Sequence, residues 1–534
     1  MKNIIYILFF LHTARLMAQQ PVWQWKVDVE VMTSTENNAH PQAFLWIPEN
    51  YKQVKGVIVT QHNMIEEGML ENPYFREVMG ELGFAEIWIT PSVSITYDVN
   101  KGDDKVFDYV LHELAETSGY SELEFAPIVP MGHSALASYP WNFAAFMPER
   151  TLALVSVHGD SPQTNLTGSG RPNPDWENRS IDGIPALFIM GEYEWWDARI
   201  APAYTYIAKH TESVITLFCD AGHGHFDYSE AMVKYVADYI RKAAKQRLPA
   251  KMPLNAMPKL IKVKPQQGWL MDKWRHDSLP QAPSAKYDAF KGERKTASWV
   301  FNKEHAKATE AFYAASRGKT MQYIGYNQNG AVLQPKKTHA NYQLDFKPMD
   351  DGITFTVNAF FADSTKVNPA GDFAKTSISI DRICGPVKKV SDTTFQISFY
   401  RMGFNNPKRS NDIWLLAHNN GDATYKSVVQ QLNLRFPIKN TAGMPQIIDF
   451  KAIADQSASI EILQLQASSS AKVPVSYYVK EGPAYIEGNE LKFTPIPPRT
   501  KFPVKVTVVA WQYGMAGTLQ SAEPVENTFY ILKN

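Results

Sequence analysis

Residues 125–142 read Phe-Ala-Pro-Ile-Val-Pro-Met-Gly-His-Ser-Ala-Leu-Ala-Ser-Tyr-Pro-Trp-Asn. An apolar run stops at Gly132-His133-Ser134-Ala135, and a helical stretch of small residues begins at once. A serine on such a strand-to-helix turn holds its hydroxyl out over the end of a sheet. The next backbone N–H then starts the helix, aimed where negative charge develops on an attacked carbonyl. Ser134 is the candidate nucleophile, and Ala135 offers one oxyanion-binding N–H. A free hydroxyl is a poor nucleophile near neutral pH, so a base must take its proton, and a carboxylate must orient and stabilise that base. Both residue types follow. Residues 184–197 are an apolar run closed by Gly191, with Glu192, Glu194 and Asp197 beyond it. Residues 214–227 are another apolar run, closed by Asp220-Ala221-Gly222-His223-Gly224-His225-Phe226-Asp227.

Those residues need a scaffold, and the pattern around them predicts one. Strand-like runs lie at Trp25–Met32, Ala43–Ile47, Gly56–Thr60, Phe84–Thr90, Phe125–Val129, Leu152–Val157, Ala186–Met190 and Val214–Phe218. The later ones are continuous and apolar, as strands buried on both faces of a parallel sheet must be. Helical stretches separate them, at Asp104–Thr117, Ser134–Phe146, Ala198–Lys209 and Tyr228–Ala244. The pattern predicts an α/β domain with a doubly wound, mostly parallel sheet, and ligands beyond the carboxyl ends of its strands. Ser134, the acids and the histidines all fall at those ends.

Nucleophile, acid and histidine, each just after a strand, is the chain order of α/β-hydrolases. From about residue 22 to residue 247 the sequence resembles that superfamily, in the manner of a secreted serine esterase of the carbohydrate-esterase kind. In the family the histidine commonly follows the last strand as Gly-His, which here is Gly222-His223, with His225 as competitor. The family acid often sits three residues after the strand-ending glycine, which is Glu194, with Asp197 and Glu192 as rivals. The resemblance places the second oxyanion N–H in the loop after the third strand, at Asn63 or Met64. Many members have His-Gly-Gly there; this chain has Gln61-His62-Asn63, and His62 holds the position of the family's loop histidine. Leu136 also stands where the family's Gly-x-Ser-x-Gly ends in glycine. His62, His133, Trp195 and Trp196 are the candidate substrate contacts, the tryptophans because flat rings stack on sugars or aromatic acyl groups. Trp141, Trp176 and Tyr193 are further aromatics near the site in sequence.

The chain has 534 residues, enough for two to four domains. Its formal net charge is zero, which gives no overall pull towards nucleic acid or acidic lipid. Met1-Lys-Asn followed by a short apolar core and Ala18 reads as a signal peptide over 1–18, so the expected location is secreted, periplasmic or cell-surface. Two cysteines, Cys219 and Cys384, fall in segments read as separate domains, so no disulfide is expected. No Cys/His cluster has zinc spacing, and neither metal nor organic cofactor is implied. The hydrolase domain is read over 19–248, sufficient on its own to carry the site. Residues 249–285 are rich in proline and lysine and read as a linker. Residues 286–445 carry a helical patch and then alternating strands and tight turns, a β-sandwich-like domain. Residues 446–534 resemble the immunoglobulin-like modules of secreted bacterial surface proteins.

The expected activity is that of a serine carboxylic-ester hydrolase removing an acetyl or feruloyl group from a polysaccharide through an acyl-enzyme on Ser134. Its partner is then an ester of a carbohydrate, with no nucleic acid and no membrane span. A serine peptidase of the same fold and an inactive surface-binding protein are the alternatives.

Overall fold

Eight strands form the central sheet of the computed structural model, in the order β1-β2-β4-β3-β5-β6-β7-β8. The structure describes residues 22–164, 172–194 and 196–534, so the signal-peptide reading lies outside it. The strands are β1 (Trp25–Asp28), β2 (Gln42–Trp46), β3 (Gly56–Gln61), β4 (Phe84–Thr90), β5 (Ile128–His133), β6 (Leu154–Val157), β7 (Pro185–Gly191) and β8 (Val214–Asp220). β1, β2 and β4 pair antiparallel, and β4, β3, β5, β6, β7 and β8 pair parallel. Every residue of β3 to β8 is buried, which is why these segments read as unbroken apolar runs. The pleat divides them between two cores. Ile58 joins one with Phe75, Val78 and Val236, while Val57 and Val59 join the other with Phe107, Leu111 and Leu114.

The connecting helices are α1 (Glu66–Leu70), α2 (Pro73–Leu82), α3 (Asp103–Ser118), α4 (Ser138–Phe146), α5 (Trp196–Lys209) and α6 (Glu230–Arg247). The strand order and the helices on both faces are those of the α/β-hydrolase fold. α2 has a complete set of local signals. Asn72 accepts from the Tyr74 and Phe75 N–H groups, Pro73 opens the helix, and Gly83 closes it at φ 70°. Among the described residues no helix is long and apolar enough to cross a membrane.

Past α6 the chain does not leave the α/β domain. Residues 249–285, read as a linker, run back along it: the Ile261 N–H donates to Arg247 and the Val263 N–H to Gly183. β9 (Trp269–Met271) pairs with β10 (Ala285–Lys286) and β11 (Ser298–Val300). β11 and α7 (Lys303–Ala314) then cover the outer edge of β8 with side chains. The Leu217 N–H donates to Ser298 Oγ at 2.9 Å, the Cys219 N–H to Tyr313 Oη at 3.2 Å, and Thr216 Oγ1 to the Trp299 carbonyl at 2.6 Å. Buried backbone groups on a sheet edge need partners, and hydroxyls supply them here in place of a ninth strand. Trp299, Phe301, Tyr313, Ile383, Cys384 and Leu416 share the core with residues of the α/β domain. Both cysteines are buried and free.

The second half is β-rich and made of small sheets. A four-stranded sheet takes Gln343–Leu344, Val428–Arg435, Asp412–Asn419 and Ser379–Cys384 in that order. It packs with Tyr323–Gln328, Thr354–Thr356 and Thr394–Ile397 around Tyr326, Tyr342, Phe355, Phe395 and Leu432. The last segment builds sheets from Ser476–Glu481, Val504–Trp511 and Val525–Leu532, and from Ile462–Gln464, Ala484–Glu487 and Glu490–Phe493. Its Tyr478, Val509, Trp511 and Tyr513 lie in the core of the preceding β-rich unit. A loop of this segment also reaches the α/β domain. The Lys501 N–H donates to Ser118, and Arg499 meets Glu122 at 3.0 Å. A side chain at Gly119 would strike the Lys501 backbone at 2.8 Å.

Candidate active site

β5 delivers Ser134 in a left-handed conformation, φ 54°, before a single 3₁₀ turn leads into α4. A serine rarely takes that conformation, and the tight turn forces it. The turn also needs room beneath it. A Cβ at Gly132 would sit 2.2 Å from the Leu136 carbonyl oxygen, and one at Gly159 would sit 1.9 Å from Ala137 Cβ. Gly159, just after β6, thus provides the close approach that the motif's usual last glycine provides elsewhere, and Leu136 is accommodated in the core.

The imidazole facing Ser134 is that of His225. Its Nε2 lies 2.7 Å from Ser134 Oγ. Its Nδ1 hydrogen-bonds to Glu194 Oε2. Glu194 sits three residues past Gly191, and the Gly191 N–H returns to its Oε1 at 2.9 Å. Burial alone would raise the Glu194 carboxyl, but His158 and the bond from His225 outweigh it and hold the group below the usual range. An ionised acid, an imidazole and a serine hydroxyl therefore stand in one hydrogen-bonded line. The rival acids are used otherwise. Asp197 is exposed at the start of α5, and Glu192 accepts from the Gly222 N–H at 2.8 Å and from Lys426 at 2.7 Å.

His223, the histidine expected from the Gly-His pattern, does not reach Ser134. Its Nδ1 lies 2.6 Å from Asp227 Oδ2. Burial pushes its pKa down, but Asp220 and Asp227 together raise it to about 9. At neutral pH it is an imidazolium locked in an ion pair, with no capacity to accept the serine proton. Gly222, at φ 85°, makes the difference. It turns the chain so that a Cβ there would lie 1.9 Å from Ser427 Oγ of the β-rich half, and the loop advances two residues before a histidine meets Ser134.

Two buried imidazoles hold the loop that carries His225. His133 Nε2 donates to the His225 carbonyl at 2.7 Å, and His158 Nδ1 donates to the same oxygen at 3.0 Å. His158 Nδ1 also lies 3.3 Å from Glu194 Oε1. Both rings are fully buried. His133, expected to touch substrate, is instead a strut behind the nucleophile, because its strand position points it into the sheet rather than out over it. His62 is corrected likewise. It is 6% exposed, its Nδ1 is 2.8 Å from Thr90 Oγ1, and its ring packs 5.1 Å from that of Trp88. Burial, reinforced by Arg409, Arg382 and Lys408, keeps it neutral. Trp195, and the side chain of Trp196, lie outside the described residues. Trp141 and Trp176 are core residues, donating to the Asp160 carbonyl and to Asn142 Oδ1, each at 2.7 Å.

The expected second oxyanion donors, Asn63 and Met64, are both directed elsewhere. Their N–H groups converge on Glu66 Oε2 at 3.2 and 2.8 Å, and Glu66 Oε1 takes the His133 N–H at 3.0 Å. One buried carboxylate thus ties the loop after β3 to the nucleophile turn. Its burial raises it, against those N–H bonds, to about 7. Ala135 stands beside Ser134 at the start of the 3₁₀ turn, half-buried.

The β-rich half grips the same loop. Arg409 Nη1 donates to the Asn63 carbonyl at 2.6 Å, while its Nε meets Glu36 at 3.2 Å. Arg401 pairs with Glu71 at 2.7 Å and also with Glu67, and Arg382 reaches Glu67 at 3.3 Å. Glu66, His158 and Arg409 were not among the sequence candidates. His158 had a usable signal: it closes an apolar strand just before Gly159-Asp160, as Ser134 and Glu194 close theirs.

His158, Glu194 and His225 have donor atoms within 4.8 Å of one another, the composition of a metal site. Their hydrogen bonds to one another and to Ser134 engage those atoms. Glu192, His276 and Asp277 form a second such group, and the Lys426 ammonium already sits against Glu192 and Asp277 at 2.7 and 2.8 Å.

No known family profile matches the sequence, and no curated protein matches it. Solved structures similar to parts of the chain include a fluorophosphonate-binding serine hydrolase, FphF, of Staphylococcus aureus, at 12% identity and TM-score 0.30, over 41% of this chain and 97% of that one. A ferulic acid esterase matches at 12% identity and TM-score 0.30, over 41% and 99%. A dienelactone hydrolase from Anabaena variabilis matches at 17% identity and TM-score 0.27, over 42% and 98%.

Proposed function

We propose that this protein is a serine hydrolase of carboxylic esters, exported from the cell, that removes an acyl group such as acetyl or feruloyl from a polysaccharide. The observation that carries the reading is the line Ser134 Oγ–His225–Glu194, set at the carboxyl ends of β5, β8 and β7. Ser134 Oγ attacks the ester carbonyl as His225 Nε2 takes its proton. Glu194 stabilises the imidazolium. The Ala135 N–H faces the oxyanion of the tetrahedral intermediate. The C–O bond then breaks, and His225 gives its proton to the departing alcohol. Water, deprotonated by His225, attacks the acyl-enzyme and releases the acid and Ser134.

Export rests on the basic, apolar and small-residue pattern of residues 1–18. The carbohydrate alcohol rests on the resemblance described above. Screening the purified protein against acetylated, feruloylated and methylated polysaccharides, beside Ser134→Ala, tests the alcohol, and finding Met1 retained on protein from the native host would overturn export. Acid release by the parent alone supports the reading. Equal fluorophosphonate labelling of the parent and Ser134→Ala would overturn it.

A further inference from the structure

A cavity of about 480 Å³ opens between the triad and the β-rich half, and His225 and Glu194 form part of its wall. That volume suits a sugar-sized group. The departing alcohol oxygen must come within hydrogen-bond reach of His225 Nε2. This puts the alcohol half of the ester on the His225 side of Ser134, where the cavity lies.

The wall opposite is built around a half-buried cation. Lys366 Nζ donates to Gln430 Oε1 at 2.7 Å, and among the described residues no carboxylate pairs with it. Gln430 is itself fixed, its Nε2 donating to the Ala340 and Gln431 carbonyls at 3.1 and 3.2 Å. An ammonium carries three donors, so two remain for a ligand. Burial without an acid lowers the Lys366 pKa. Glu194, the one acid among the described residues of the wall, is occupied by His225 and Gly191. Tyr193 and Tyr323 also line the cavity with flat rings. A positive, aromatic-lined recess with no free carboxylate favours a ring that bears an anion.

We propose that this cavity seats the alcohol half of the substrate, and that Lys366 selects a sugar bearing a carboxylate or sulfate. The proposal rests on the serine-hydrolase reading. The test compares kcat/KM on acetylated galacturonate oligomers, acetylated sulfated galactose oligomers and acetylated neutral xylose oligomers, for the full chain and for Lys366→Met and Lys366→Arg. The parent should favour at least one anionic series over the neutral one by about tenfold, mainly through KM. Lys366→Met should bring that ratio close to one, and Lys366→Arg should restore it. Whichever anionic series responds identifies the anion. A parent without anionic preference, or a ratio unmoved by Lys366→Met, overturns the proposal. Fluorophosphonate labelling of Ser134 reports separately on the hydrolase reading. Should labelling and turnover both be absent, calorimetric titration of Ser134→Ala and Ser134→Ala/Lys366→Met with deacetylated galacturonate and sulfated galactose oligomers still decides. Binding lost with Lys366 supports the site, and no binding, or equal binding, sinks it.

Discussion

Exchanging the two histidines of one loop separates catalysis from stability. His225→Gln removes the base while Glu194 keeps its bond from the Gly191 N–H and its approach to His158. We expect kcat to fall by roughly 10³-fold or more. The structural cost should be about 1.5–3 kcal/mol, that of a hydrogen bond to a charged group. His223→Gln should do the reverse. It leaves Asp227, fully buried, without its cation. Raising the imidazole from 6.5 to about 9 corresponds to about 3 kcal/mol of folding stability, in line with the usual cost of breaking a buried ion pair. Because the folded-state pKa is raised, this contribution is full below about pH 6.5 and is lost as pH rises through about 9. Denaturant melts from pH 6 to 10 should therefore show the parent losing stability over that window. His223→Gln should start lower and change less, and its kcat on an aryl acetate should stay within about tenfold of the parent's. If His223→Gln abolishes turnover in a protein of parental stability, while His225→Gln remains active, the assignment of the base is wrong.

Glu194→Gln should lower kcat by about 10²-fold or more with little change in KM, because the imidazolium loses its counter-charge chiefly in the transition state; an unchanged kcat would refute the role of the acid. Gly159→Ala should destabilise by about 1–3 kcal/mol and depress activity together, since its new methyl meets Ala137 beneath the nucleophile; thermal melts at parental midpoint would contradict the packing argument. Glu66→Gln retains the shape but replaces one acceptor oxygen with a donor facing N–H groups, so kcat should fall while fluorophosphonate labelling slows; parental kinetics would show that the loop needs no such tie. A fragment ending at Arg247 should be insoluble, because it bares the edge of β8 and the core face that Trp299, Phe301 and Tyr313 cover; a soluble, active fragment would refute this.

The sheet was legible because burial on both faces writes itself as continuous apolar runs, and each expected strand overlaps an observed one. β5 runs on to His133, past the expected end at Val129, since its pairing with β6 continues through Gly132 and His133. α2 lay in plain view between Asn72-Pro73 and Gly83 and was not among the expected helices. Glu194 was reachable by counting from a glycine, because the return bond to the Gly191 N–H is local. The choice between His223 and His225 was not, because distant contacts decide it: Ser427 against Gly222, and His133 and His158 on the His225 carbonyl. The stretch 249–285 read as a linker because an extended segment held by scattered backbone bonds has no periodicity to display. The grip of Arg409 on Asn63 spans 346 positions and leaves no trace in either local pattern.

The covering of β8 also sets a timetable. The hydroxyls that satisfy its edge come from residues 81 and 94 positions later in the chain. At roughly 5–20 residues per second of synthesis, about 5–20 s pass before that cover exists. The Arg401 grip on α1 and the Arg409 grip on the loop after β3 come later still. Throughout that interval a newly made chain presents an unpaired parallel edge, the surface most prone to pairing with another chain. Until Ser298 and Tyr313 are made, the nascent chain is exposed to pairing along that edge with its own copies.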